Sequence, residues 1–188
     1  MRRFYSYGPV DCEEHFCVPR SGLVQQCLEQ LIGNLKKGGH YFTIWAPRQT
    51  GKTWLMEQVK RRIEIEYQEK FLVGSMSMQG LVFSDETDAD GFLSKVPRLL
   101  EDGLDLHILE TKTWEAFADL FHKNRGHFSK PVLLFIDEFD SLPVQVIDRL
   151  VGVFRDMYIS GSNYFLHGLA LIGVRAVLGV GSERGSPL

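Results

Sequence analysis

The run Tyr41-Phe42-Thr43-Ile44-Trp45 is β-branched or aromatic throughout, and it leads directly into Ala46-Pro47-Arg48-Gln49-Thr50-Gly51-Lys52-Thr53. After it, Trp54, Leu55, Val59 and Ile63 recur near helical spacing, with Lys60, Arg61 and Arg62 between them as a solvated face. The first run reads as a buried strand and the last as a helix, so the octapeptide is a strand-to-helix loop. It fits the phosphate-binding pattern of Gly, four free positions and Gly-Lys-Ser/Thr at every place but the first, where Ala46 adds one methyl. Gly51 is the demanding position, because backbone must there come close to an anion. The N–H groups of Gln49 to Thr53 are expected to form an anion nest above the positive end of the helix dipole. Lys52 is expected to reach β- and γ-phosphates as a point charge, and the Thr53 hydroxyl to ligate magnesium. A nucleotide is the first ligand to expect, although a Gly-Lys-Thr tripeptide also arises by chance at turns.

A second motif decides between those readings. Pro131-Val132-Leu133-Leu134-Phe135-Ile136 is a continuous apolar run that ends in Asp137-Glu138. Such a run reads as a strand buried on both faces of a parallel sheet. The C-terminal edge of such a sheet is where ligands bind. Asp137 is placed to hold magnesium, and Glu138 to polarise the water that attacks a γ-phosphate, so the pair implies hydrolysis as well as binding. The same carboxylates would also suit the start of a helix after a core strand. Asp140 has two readings, support of the metal shell or capping of the following helix, with capping preferred.

With both motifs in hand, the chain resembles the AAA-like and STAND-like P-loop ATPases, particularly bacterial proteins in which an Arg-Gln-x-Gly-Lys-Ser/Thr loop follows a short Gly-Pro-Val segment. Tyr7-Gly8-Pro9-Val10, Phe16-Cys17-Val18-Pro19-Arg20 and Arg48-Gln49-Thr50-Gly51-Lys52-Thr53 carry the likeness, which covers nearly the whole chain. It implies ATP and magnesium as cofactors, and nucleotide contacts from Ala46 through Trp54. By position it nominates Val10, Phe16, Val18 and Arg20 for the adenine side; Phe16 and Val18 are equally readable as core, and Arg20 as a cap or a surface partner. It implies a phosphate sensor at the end of the strand Phe165 to Ile172, where such ATPases have Thr, a free residue and Arg. This chain has Gly173-Val174-Arg175, so the arginine matches and the Thr does not. Arg175 reads as a catalytic phosphate-sensing residue or as a solvated Arg. Gln79, past the strand read at Phe71 to Met78, stands where relatives hold a polar residue restraining the catalytic Glu.

A chain of 188 residues can bury roughly 70% of its unfolded surface in one core. The formal charge of −3 gives no general pull towards nucleic acid or an anionic membrane. No window reaches the roughly 18 to 20 apolar residues of a membrane span, and Met1-Arg2-Arg3 lacks the apolar stretch of a secretory signal. Cys12, Cys17 and Cys27 are an odd count most simply explained by a reducing, cytoplasmic location. His15 between Cys12 and Cys17 invites a zinc reading, but the spacing is wrong and no second pair follows.

Val24, Cys27, Leu28, Leu31, Ile32 and Leu35 form an apolar stripe ended by Gly38-Gly39, which reads as a helix before the first strand. Further helices are expected at about 52 to 68, 89 to 101, 113 to 123 and 143 to 158, the second doubtful or kinked at Pro97. Strands alternating with helices argue for an α/β fold with a parallel sheet. The expectation is a P-loop NTPase three-layer αβα sandwich, with a sheet order similar to 5-1-4-3-2, the fifth strand missing, and no C-terminal lid. The whole chain, 1–188, is read as one ATPase core: an adenine-side segment and helix at 1–39, the αβα core at 40–178 and a flexible tail at 179–188. The expected function is magnesium-dependent ATP hydrolysis as a motor or switch, and the alternative is a non-catalytic, nucleotide-dependent interaction module. ATP or ADP, a protein partner or further domains of a larger protein, and ATP-dependent self-association are the expected partners.

Overall fold

A computed structural model describes residues 3–4, 14–83 and 88–174 of the chain. The strand β3, Val132–Asp137, is buried along its whole length. Its side chains divide by the two-residue period of a strand: Val132, Leu134 and Ile136 enter one core, and Leu133 and Phe135 the opposite one. The strand β4, Leu166–Gly173, divides in the same way, with Leu169 and Leu171 on the first side and Ala170 and Ile172 on the second. A sheet apolar on both faces must be covered on both, and this one is.

On the second face lie α1, Ser21–Ile32, and α2, Lys52–Glu66, which contribute Val24, Leu28, Leu31, Leu55, Val59 and Ile63. The first face is covered by α3, Val96–Leu104, α4, Trp114–Leu120, and α5, Val144–Ile159. With β1, Tyr41–Trp45, and β2, Leu72–Ser77, the sheet has the order β1-β4-β3-β2 with every pairing parallel. This is the expected α/β sandwich with a parallel sheet, and it has the 1-4-3-2 part of the expected order. Among the described residues no strand pairs with the outer edge of β1.

Three local expectations need correction. The first helix stops at Ile32, because Gly33 turns the chain at φ +47°, and Leu35 is left outside it and exposed. The single helix expected at 89 to 101 is a 3-10 turn, Ala89–Lys95, followed by α3. Pro97 lies in the first turn of α3, where its missing N–H is not needed, so it helps start a helix rather than kinking one. The third concerns the thiols: Cys17 is disulfide-bonded, so the expectation that every cysteine is reduced does not hold for it. Cys27 is free, and burial pushes its thiol pKa up.

At the base of the sheet the His167 ring donates its Nε2–H to the Ile32 carbonyl at 2.8 Å and lies edge-on to Phe71. Burial holds the imidazole below its usual 6.5; the Ile32 bond opposes that shift, and Lys123 adds to it. A depressed folded pKa means that the unfolded chain takes up the proton first as pH falls. The stabilisation is therefore whole above about pH 6.5 and declines as pH drops towards the folded value. Urea unfolding is expected to show lower stability at about pH 5.5 than at about pH 7.5, and His167→Gln to flatten part of that slope.

Candidate functional site

The loop between β1 and α2 turns on two residues of positive φ, Gln49 at 60° and Gly51 at 78°. Gly51 is left-handed (φ 78°, ψ 34°) and stands immediately before α2, and an added Cβ would lie 3.4 Å from the Arg20 guanidinium. The left-handed backbone is what calls for glycine, since a contact of that length with Arg20 is ordinary packing. Among the described residues no backbone carbonyl accepts from the N–H groups of Gln49, Gly51, Lys52 or Thr53. A row of free donors at a helix N-terminus is an anion site in waiting. The Lys52 ammonium donates to the carbonyls of Ala46, at 2.8 Å, and Pro47, at 2.9 Å, which folds the side chain back over its own loop. The Thr50 hydroxyl donates to Pro47 O at 2.8 Å and fixes the turn.

The acidic motif meets this loop across the sheet. Thr53, in the first turn of α2, donates its hydroxyl to Asp137 Oδ2 at 2.9 Å, although 84 positions separate the two. The other carboxylate oxygen, Oδ1, accepts from the Glu138 N–H at 2.9 Å. Asp137 is buried, 8% exposed, and these two bonds keep its charge solvated by protein. Glu138 follows in a left-handed conformation, φ 55° and ψ 34°. A non-glycine residue held there costs on the order of 1–3 kcal/mol, and such outliers cluster at functional sites.

Asp140 does not stand at the cap of the next long helix. The cap position of α5 is Pro143, with no side-chain bond, while Asp140 Oδ1 accepts from the Val174 N–H at 3.1 Å. The capping reading is therefore replaced by a link to the end of β4. Of the adenine-side nominees, Arg20 is brought to the loop, whereas Val18 is exposed and Phe16 stacks on the exposed Phe4, so neither is core. Gln79 is exposed two residues past the end of β2, where Ser77 pairs with Asp137. Val10 and Arg175 lie outside the described residues.

Between α1, β1 and the loop runs a cleft of about 460 Å³, a volume in the range of small-ligand sites. Arg20, Leu23, Cys27, Ile44, Ala46 and Lys52 are among its walls, so it is apolar at one end and cationic at the other. Sequence reading missed Leu23 and treated Cys27 as core alone; their spacing of one helical turn was the available signal. Among the described residues no helix is long and apolar enough to cross a membrane, and no cluster of His, Cys, Asp and Glu is suited to a metal.

No protein-family model matches the chain, and no curated protein matches it. Among solved structures it is similar to a chain in the structure of Drosophila ORC bound to poly(dA/dT) DNA and Cdc6. The identity is 13%, the TM-score 0.49, and the similarity covers 81% of this chain and 25% of that one. The present chain thus spans about a quarter of that neighbour's length.

Proposed function

We propose that the chain binds ATP with magnesium on the loop Ala46 to Thr53 and hydrolyses it, as an AAA-like P-loop ATPase domain that serves as a motor or switch. The observation that carries the proposal is the 2.9 Å bond from the Thr53 hydroxyl to Asp137, which brings two motifs remote in sequence to one point. One hydroxyl and one carboxylate, both hard oxygen donors, suit a magnesium ion that keeps most of its water. When bound, that ion neutralises charge on the β- and γ-phosphates.

The chain's own residues do the rest of the work. Lys52 would leave the carbonyls of Ala46 and Pro47 for phosphate oxygens, and the N–H groups of Gln49 to Thr53 would cradle the β-phosphate side. Trp54, half-buried just behind Thr53, follows the cradle. Arg20 adds a second cation where the cleft opens on the loop, and the apolar end of the cleft offers a surface for the base. Glu138 is the proton acceptor for the attacking water, and Arg175, two residues beyond Gly173 in the sequence, is the proposed charge stabiliser. Protein partners, further domains of a larger protein and ATP-dependent self-association remain part of this proposal, as does work in the cytoplasm.

Phosphate release with magnesium and with excess chelator tests the reading. Turnover is expected only with magnesium, and Thr53→Val is expected to raise the magnesium concentration needed for half-maximal rate. Retained ATP binding with no release above background under either condition would favour the non-catalytic interaction module instead.

A further inference from the structure

One peptide group stands between the two motifs. The Gly173 carbonyl accepts from the Ala46 N–H at 3.4 Å, and the N–H of the same peptide unit, that of Val174, donates to Asp140 Oδ1 at 3.1 Å. The end of β4 is therefore bonded to the start of the phosphate loop on one side and to the acidic turn on the other. Asp140 belongs to the 3-10 turn Phe139–Ser141 that directly follows Glu138. That turn is held on its far side as well, because the Ser141 hydroxyl donates to Met78 O at the end of β2, at 3.3 Å.

The glycine at 173 has a specific cause. A Cβ there would lie 2.5 Å from Asp140 Oδ1 and 3.0 Å from its Cγ, and the three nearest atoms all belong to Asp140. Its φ is not among the positive values, so the backbone itself would accept a side chain. The Asp140 side chain is what a side chain there would meet first. The departure from Thr at this position is thus coupled to Asp140, whose carboxylate fills the space that a side chain on residue 173 would need.

We propose that Asp140 is a positioning residue, which locks the left-handed turn carrying Glu138 to the Gly173–Val174 peptide and through it to the phosphate loop. The role rests on the ATPase reading above. A carboxylate that holds the turn from β4 keeps Glu138 at one distance from the loop, and a general base displaced by about 1 Å can lose on the order of 10²-fold in rate. The side chain need not touch nucleotide for that effect.

Steady-state phosphate release and ATP affinity, measured for Asp140→Ala, Asp140→Asn, Gly173→Thr and Asp140→Ala/Gly173→Thr, test the assignment. Asp140→Ala and Gly173→Thr are each expected to lower kcat by about 10- to 100-fold with little change in ATP affinity. Asp140→Asn keeps an oxygen that accepts from Val174 N–H, and is expected to retain most of the rate. The double variant is expected to be no slower than the slower single one, since Thr at 173 meets no carboxylate once Asp140 is gone. Asn as slow as Ala would overturn the proposal in favour of a role for the charge itself, and so would a Gly173→Thr enzyme as fast as wild type. Urea unfolding of the same four proteins reads the contact without nucleotide, and destabilisations that fall short of additive are expected. Additive effects would overturn the link whether or not the chain hydrolyses ATP, whereas a wild type that never binds ATP, with non-additive unfolding, would reject the ATPase reading and leave the contact standing.

Discussion

Lys52→Ala is expected to weaken ATP binding by about 10- to 100-fold, the loss that follows when charge-assisted hydrogen bonds to phosphate disappear. AMP, which lacks the β- and γ-phosphates, is expected to bind wild type and variant alike. The reason lies in where the ammonium sits. It is tethered by the Ala46 and Pro47 carbonyls of the loop itself, beside the backbone N–H groups that would meet an anion. Ala46 is half-buried and Pro47 exposed, so solvent is expected to satisfy both carbonyls in the variant, which should unfold at nearly the wild-type denaturant concentration. Titration of each protein with ATP and with AMP makes the comparison, and equal ATP affinities would refute the assignment of the loop.

Glu138→Gln is expected to bind ATP as wild type does and to release phosphate about 10²- to 10⁴-fold more slowly, the range for loss of a general base. Gln has nearly the same shape and would occupy the same left-handed backbone, so the strain at φ 55° is common to both proteins. What changes is the capacity to take a proton. Asp137 is untouched, and its bonds to Thr53 and to the backbone N–H of residue 138 survive the substitution. Binding should therefore be preserved while turnover is lost. Matched rates in the two proteins would remove Glu138 from the chemistry.

Much of the fold was legible because two signals agreed. The apolar run from Val132 to Ile136 could only be a strand covered on both faces, and the loop at 46 to 53 fixed what precedes and follows it. Element ends were less legible where glycine or proline acts through geometry: Gly33 ends α1 early, and Pro97 starts a helix that periodicity alone reads as interrupted. The loop and acidic residues were visible as motifs, whereas their meeting at Thr53 and Asp137 needed the parallel sheet to bring them together. Asp140 was read as a cap since Asp favours helix starts. The Val174 N–H that it accepts from is 34 positions away, just past β4, which no local pattern reveals. The exposure of Val18 shows the reverse case, an apolar residue that spacing cannot place inside or outside.

Backbone amide resonances of the isotope-labelled chain, followed by NMR during titration with magnesium and ATP, address the central claim most directly. The amides of Gly51, Lys52 and Thr53 are expected to move most as their free N–H groups take up phosphate oxygens, with those of α4, on the opposite face of the sheet, unmoved. Saturating ATP that leaves these three resonances in place, or that shifts a different surface instead, would contradict the account.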